Sequence, residues 1–153
     1  MSDIPQVDPQ SFLDALGAAL SLPRLSFNED RVCCLFVPGE LEVQIEWANQ
    51  HRRVVMLSPL GPLGADPDGA IARELLSANF LFQGTRGETL SFDPDSGSVF
   101  LCLMLDLDAV GVDRALEAFA EFVDTAGHWR HRLQIGAPGT LEQAAPPMVF
   151  QKA

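Results

Sequence analysis

Two short segments contain only apolar residues, counting cysteine as one, and they limit the possible folds more than any other feature. Residues 99–105 read Val-Phe-Leu-Cys-Leu-Met-Leu, and residues 32–37 read Val-Cys-Cys-Leu-Phe-Val. Successive side chains of a β-strand point to opposite faces, so such strands need apolar cover on both sides. Either helices of the same chain cover both faces of the sheet, or a second copy or another protein covers one of them.

Three segments carry apolar side chains at helical spacing. The first two begin at Asp8-Pro9 and Asp66-Pro67, where an aspartate that can cap a helix precedes a proline that fits its first turn. We expect these helices to end near Ser21 and Asn79, and a third helix to begin with Asp113 as its cap.

Strands are expected between the helices. Residues 41–47 alternate apolar side chains with acidic or amide ones, which predicts a strand with one buried face. Short connections predict antiparallel pairing with strands at 32–37 and 54–57. The remaining assignments are a loop at 61–69, extended segments at 80–82, 89–92 and 99–105, and a turn at 93–97.

This order of segments predicts an α+β fold, in which an antiparallel sheet packs against three helices. The length of 153 residues fits a single domain, which we expect over residues 1–135. Pro138, Pro146 and Pro147 predict a C-terminal tail without regular structure over residues 136–153.

The charge of the chain narrows the range of partners. It has 10 Lys and Arg against 21 Asp and Glu, a formal net charge of −11. The electric field of this negative charge repels phosphate backbones and anionic lipids, so we expect neither nucleic acid nor a membrane as a partner. The first twenty residues lack the basic start and apolar run of a secretory signal. Three cysteines, an odd number, favour reduced thiols and a cytoplasmic location.

No catalytic or metal-binding motif is present in the sequence. His128 and His131 lie three residues apart, but no further ligands accompany them at metal-site spacing. Asp106 and Asp108 are explained by a strand that ends at the surface. A hydrolase or thiol enzyme would need an activated nucleophile, and thiols within an apolar strand have a raised pKa. We therefore predict a protein that is not an enzyme and binds no metal or cofactor.

Several short stretches between residues 12 and 133 occur in an order that one protein family shares. From the N-terminus they are Leu20-Ser21-Leu22-Pro23, Phe27-Asn28-Glu29-Asp30, Leu75-Leu76-Ser77-Ala78-Asn79, Leu90-Ser91-Phe92-Asp93, Phe122-Val123 and Trp129-Arg130. With this order, length and acidity, the chain resembles the Tir/CesT-like class I chaperones of type III secretion, which serve individual effectors. It departs from the family pattern at Arg31, where a turn glycine is common, and in its longer tail after Gly136.

The resemblance implies an α-β-β-β-α-β-β-α sandwich, with a twisted antiparallel sheet, that forms a homodimer through the second helix and the nearby apolar strand. The dimer-interface candidates are Ile71, Leu75, Phe80, Phe100, Cys102 and Met104. It also implies that apolar grooves, formed by the first helix and the sheet, bind an extended segment near the effector's N-terminus. The effector-binding candidates are Phe12, Leu20, Leu25, Phe27, Val32, Cys34, Phe36, Val43 and Ile45.

The function implied by the resemblance is that of a non-enzymatic, cofactor-free chaperone in the bacterial cytoplasm. It would keep a secreted effector soluble and ready for export, and the resemblance adds the secretion ATPase as a further candidate partner. An alternative with the same fold is a partner-switching regulator of type III secretion gene expression. The sequence is compatible with both functions.

Overall fold

The structure is a computed structural model, and it describes residues 6–136. The helices are α1 (Pro9–Leu20), α2 (Ala70–Asn79) and α3 (Leu107–Ile135), and the strands are β1 (Val32–Val37), β2 (Leu41–Ala48), β3 (Arg53–Pro62), β4 (Thr89–Asp93) and β5 (Ser98–Asp106). Short 3₁₀ helices lie at Asn49–His51 and Phe80–Phe82. The predicted order α-β-β-β-α-β-β-α is confirmed.

The five strands form one antiparallel sheet in the order β1-β2-β3-β5-β4. Short connections join β1 to β2, β2 to β3, and β4 to β5, whereas α2 lies between β3 and β4 along the chain. The two edges of the sheet are therefore β1 and β4. The predicted α+β class and antiparallel pairing are confirmed.

All three helices contribute to one core on one face of the sheet. Phe12 and Leu16 of α1, Leu75 of α2 and Phe122 of α3 belong to the same buried cluster. The sheet residues of this cluster alternate along each strand, and they are Cys33, Leu35, Val37, Leu41, Val43, Ile45, Trp47, Val54, Met56, Leu60, Leu90, Val99 and Leu101. Within residues 6–136, no strand residue on the opposite face is buried. Helices of this part of the chain thus cover one face only.

The first helix begins and ends as its sequence predicts. The Asp8 carboxylate accepts a hydrogen bond from the Gln10 N–H at 3.1 Å, and Pro9 is the first helical residue. Ser21 ends the helix in the left-handed conformation, with its N–H donating to the Ala18 carbonyl. This turn directs the chain toward β1.

The predictions for β3 and for residues 80–82 were partly wrong. β3 runs on to Pro62, because Gly61 and Pro62 pair with Val99 and Ser98 of β5 across an irregularity after Pro59. Proline and glycine break the strand pattern in the sequence, but a neighbouring strand stabilises it in the fold. Phe80–Phe82 forms a 3₁₀ helix instead of an extended segment.

The starts of α2 and α3 also differ from the prediction. Gly69 immediately precedes α2, and Asp66 caps it from further away, accepting from the N–H groups of Ile71 and Ala72 at 3.0 and 2.9 Å. For α3 the cap is Asp106, whose carboxylate accepts from the Ala109 N–H, instead of Asp113. Gly111, with a φ of 75°, interrupts the helix five residues later.

Residues 6–136 contain no helix that is both long enough and apolar enough to span a bilayer. The last of them, Gly136, directly follows α3. The predicted tail falls almost entirely on residues 137–153, which lie outside the described residues, so the domain boundary stays a prediction.

A carboxyl group lies in the core between α3 and the loop before β4. Glu88 is only 2% exposed, and its Oε2 atom has no hydrogen-bond partner. Burial raises the pKa of this carboxyl, and the nearby Glu121 raises it further. The Thr125 hydroxyl, which also donates to the Glu121 carbonyl oxygen at 3.0 Å, offsets only part of this rise in the pKa.

Glu88→Gln should therefore stabilise the protein at neutral pH. Because the pKa of Glu88 is higher in the folded than in the unfolded chain, wild-type stability falls as the pH rises through the unfolded pKa toward the folded one. Urea unfolding at pH 4 and pH 7 measures this effect. The variant should have the higher free energy of unfolding at pH 7 and lose most of that advantage at pH 4; an equal advantage at both values would contradict the assignment.

Candidate functional site

The face of the sheet opposite the helices carries two apolar surfaces. On β1 it carries the apolar side chains of Val32, Cys34 and Phe36, which lie opposite Glu46, Gln44 and Glu42 of β2. On β3 and β5 it is apolar again, with residues that we call the outer patch: Val55, Leu57, Pro59, Phe100, Cys102 and Met104. A polar stripe on β2 therefore separates two apolar surfaces.

Among residues 6–136, no strand lies beside the outer edge of β1. The Trp47 N–H donates to the Arg31 carbonyl, so the odd-numbered residues of β1 pair with β2 and the even-numbered ones point outward. Val32, the first of the outward-pointing residues, is hydrogen-bonded to Asn28: the Asn28 side chain accepts from the Val32 N–H, and the Asn28 N–H donates to the Val32 carbonyl. The outward N–H and C=O groups of Cys34 and Phe36 form an open edge.

A groove lies beside this open edge, between the end of α1 and the β1–β2 hairpin. We call it the edge groove; its volume is about 890 Å³, and it is lined by Leu20, Leu22, Phe36, Val37, Pro38, Gly39 and Glu40. The Phe36 side chain is 66% exposed, a large fraction for an aromatic residue. The groove is mostly apolar, with one carboxylate at its rim.

Contacts with α3 hold the hairpin that forms one wall of the edge groove. Arg130 donates a hydrogen bond to the Gly39 carbonyl oxygen at 2.9 Å. Below it, Val37 and Leu41 are buried in the core. The groove therefore has one wall fixed to the longest helix.

A second exposed apolar segment follows α2. Phe80, Leu81 and Phe82, which we call the apolar turn, are all more than half exposed, and Leu81 and Phe82 have positive φ values. Non-glycine residues in this conformation carry a strain cost, so tertiary contacts must hold the turn. One such contact is the hydrogen bond from Trp129 Nε1 to the Gly84 carbonyl oxygen at 2.9 Å.

The structure separates the predicted effector-binding residues into three groups. Phe12, Val43 and Ile45 are completely buried in the core, so in this conformation they offer no surface to a partner. Leu20 and Phe36 line the edge groove. The others are half-buried or exposed: Val32 and Cys34 lie on β1, and Leu25 and Phe27 lie in the segment that leads to it.

The predicted dimer-interface residues are divided in the same way. Ile71 and Leu75 face the core from α2 and are buried. Phe80 belongs to the apolar turn, and the other three candidates belong to the outer patch: Phe100, Cys102 and Met104. The apolar turn was missed by the sequence analysis, which interpreted Phe80–Phe82 as an extended segment.

The fold shields two of the thiols and holds one of the aspartates in an ion pair. Burial raises the pKa of the Cys33 and Cys102 thiols, which keeps them protonated. Asp108 forms an ion pair with Arg52 and accepts from the Val7 N–H, contacts that lower its pKa. Among residues 6–136, no group of three or more His, Cys, Asp or Glu side chains is arranged to hold a metal ion.

The sequence matches the model of a known family. The family model described as the Tir chaperone protein (CesT) family matches residues 11–130, more than three quarters of the chain. The chain belongs to this family. The resemblance noted in the sequence is thereby confirmed, and the chain is a member of the type III secretion effector chaperones. No curated protein matches the sequence.

Several solved structures share the fold of this chain. The HopA1-SchA chaperone-effector complex matches with a TM-score of 0.69 at 17% identity, over 86% of this chain and 99% of that one. The ExsC-ExsE complex matches with a TM-score of 0.70 at 19% identity, over 81% and 92%. The Yersinia pestis type III secretion chaperone SycH, solved with a fragment of YscM2, matches with a TM-score of 0.62 at 17% identity, over 78% and 97%.

Proposed function

We propose that this CesT-family chain is a non-enzymatic, homodimeric chaperone that binds an extended segment near the N-terminus of one secreted effector. The client is held in the bacterial cytoplasm, soluble and ready for export, and no cofactor takes part. The observation that carries this proposal is the edge groove beside the open edge of β1. An extended peptide needs both features, backbone partners and apolar pockets.

The geometry of β1 supports binding by strand addition. The N–H and C=O groups of Cys34 and Phe36 point away from β2, so an added strand finds backbone partners there. Alternate side chains of that strand would lie on opposite sides, and one set would pack against Leu20, Leu22 and Phe36 in the groove. Apolar side chains in the client are therefore required at alternate positions.

Charge supports the same client. The groove rim carries Glu40, and Glu42 and Glu46 lie on the neighbouring stripe of β2. With a net charge of −11, the chain attracts a basic segment and steers its approach. We therefore expect a client segment in which basic residues flank the apolar ones.

The outer patch supports the homodimer. It is continuous across β3 and β5, and Met104 at its end is 54% exposed. Such an apolar sheet face needs cover, and a second copy provides an identical patch. Because the polar stripe on β2 separates this patch from the edge groove, dimer formation leaves the client site free.

Met104→Asp should weaken the dimer. In a symmetric interface each substitution acts twice, and an unpaired charge is costly in an apolar contact, so we expect the dissociation constant to rise at least about tenfold. Light scattering over a dilution series measures it. The matched control is Ile135→Asp, which changes another side chain about half exposed (52%) at the end of α3. An unchanged dimer in the Met104 variant would place the interface elsewhere.

Capture of the client from the source cell tests the proposed function. Tagged chain is used as bait, and the complex is analysed by mass spectrometry, light scattering and limited proteolysis. We expect a complex of two copies of this chain with one larger protein, contacted only near the N-terminus of that protein. The complex should persist when the secretion ATPase is added. A stoichiometric complex with a small regulatory protein would support the partner-switching function instead, and a monomer without any client would contradict the proposal.

A further inference from the structure

The C-terminal segment of the chain has the chemistry that the edge groove requires. We propose that residues 148–150, Met-Val-Phe, occupy the edge groove of the same protomer when no effector is bound. This inference rests on the proposed function, because the tail then competes with the effector for one site. The family match ends at residue 130, so the tail lies outside the part that the family shares.

The point where the chain leaves α3 is close to the edge groove. Gln134, near the end of α3, lines a cavity of about 260 Å³ together with Pro38 and Gly39. The same Pro38 and Gly39 also line the edge groove. The hydrogen bond from Arg130 to the Gly39 carbonyl fixes this neighbourhood. The tail therefore starts beside the tip of the hairpin that forms one wall of the groove.

The tail is long enough to reach its own groove. Eleven residues, 137–147, separate Gly136 from Met148. At about 3.3–3.6 Å per residue this spacer spans at most about 36–40 Å. Gln134, two residues before Gly136, already lines one cavity with Pro38 and Gly39, which also line the edge groove. The tail can thus pass the hairpin tip with slack, without the groove of a partner subunit.

The sequence of the tail suits the site. Pro146 and Pro147 disfavour a helix and favour extended backbone at this point, which lowers the entropy cost of strand addition. An extended segment after them would place Met148 and Phe150 on one side, toward the groove, and Val149 on the other. Lys152, the only lysine of the chain, follows two residues later, within reach of Glu40 at the rim.

Docking of the tail would regulate client binding. It covers Phe36 while the chaperone waits for its effector, and the effector must displace it. The apparent dissociation constant for the effector then rises in inverse proportion to the fraction of open grooves. Removing the apolar character of the tail should accordingly tighten client binding without any change in the groove itself.

The single lysine allows a direct test on the full-length, client-free chain. A zero-length carbodiimide reagent joins a lysine amine to a carboxylate in contact, and mass spectrometry locates the product. We expect a Lys152–Glu40 link within one chain, shown by mixing isotope-labelled and unlabelled protein. Phe150→Asp should reduce this link about tenfold, as expected if the docked fraction falls from nine tenths to below one tenth. Leu141→Asp, in the spacer, serves as the matched control and should leave the link unchanged.

The proposal is overturned if no such link forms, if Phe150→Asp leaves it unchanged, or if the link joins only different chains. These outcomes are distinct from failure of the proposed function. If the wild-type chain captures an effector but no Lys152–Glu40 link forms, the proposed chaperone function stands and the proposal that the tail occupies the groove is wrong. If the link forms but neither the wild-type bait nor the Phe150→Asp bait captures an effector, the proposal for the tail stands and the proposed chaperone function is wrong.

Discussion

Phe36→Asp should lower the affinity for the effector about 100-fold or more while leaving the chain folded and dimeric. Phe36 contributes the largest side chain of the edge groove, and client binding would bury it. Losing an apolar contact of this size removes about 2–3 kcal/mol, and an aspartate buried against apolar client residues adds a desolvation cost. Together these correspond to two or more powers of ten in the dissociation constant.

The fold should tolerate this change because the Phe36 side chain is already 66% exposed. The matched control is Phe92→Asp, which introduces the same charge in place of a phenylalanine that is 49% exposed on β4, at the opposite edge of the sheet. Isothermal titration with the captured client and circular dichroism measure the two properties. Loss of folding would assign Phe36 to the core, and equal losses of affinity in both variants would indicate a non-specific effect of charge.

Trp129→Ala should cause the largest loss of stability, about 3–5 kcal/mol in the free energy of unfolding. Its indole is 5% exposed and packs in the core from α3, and Nε1 donates to the Gly84 carbonyl. Gly84 lies so close to α2 that a Cβ atom there would be 2.7 Å from the Cβ of Ala78. Trp129 thus fixes a tightly packed loop next to the apolar turn.

Trp129→Phe separates packing from hydrogen bonding. It keeps most of the buried ring but leaves the Gly84 carbonyl without its donor, so we expect a smaller loss of about 1–3 kcal/mol. Urea unfolding of both variants measures the difference. If the alanine variant lost no more than the phenylalanine variant, burial of the indole would contribute nothing to stability, and this account of the loop would be wrong.

Local signals in the sequence predicted most of the fold. α1 begins at Asp8-Pro9 because capping and proline geometry act within a few residues. β1 has the bounds expected from its apolar run, and the alternation over residues 41–47 identifies the buried face of β2. β3 was predicted too short because only its pairing with β5 stabilises Gly61 and Pro62 as a strand.

The candidate site was predicted less well, because core and groove residues have the same composition. Ile45 and Phe36 are both apolar strand residues, yet the first is buried and the second exposed. Alternation assigns such residues to a face, but it does not tell which face the helices cover. For β1 and β5, apolar on both faces, this information comes only from the packing of α1 and α3.

The central claim is that an effector segment lies against Phe36 at the open edge of β1. Photo-crosslinking from this position tests it most directly, with benzoylphenylalanine in place of Phe36, and in place of Phe92 as the control. The account predicts an adduct between position 36 and the N-terminal region of one secreted protein, with none from position 92. An effector adduct from position 92 or from the outer patch at Met104, with none from position 36, would contradict it.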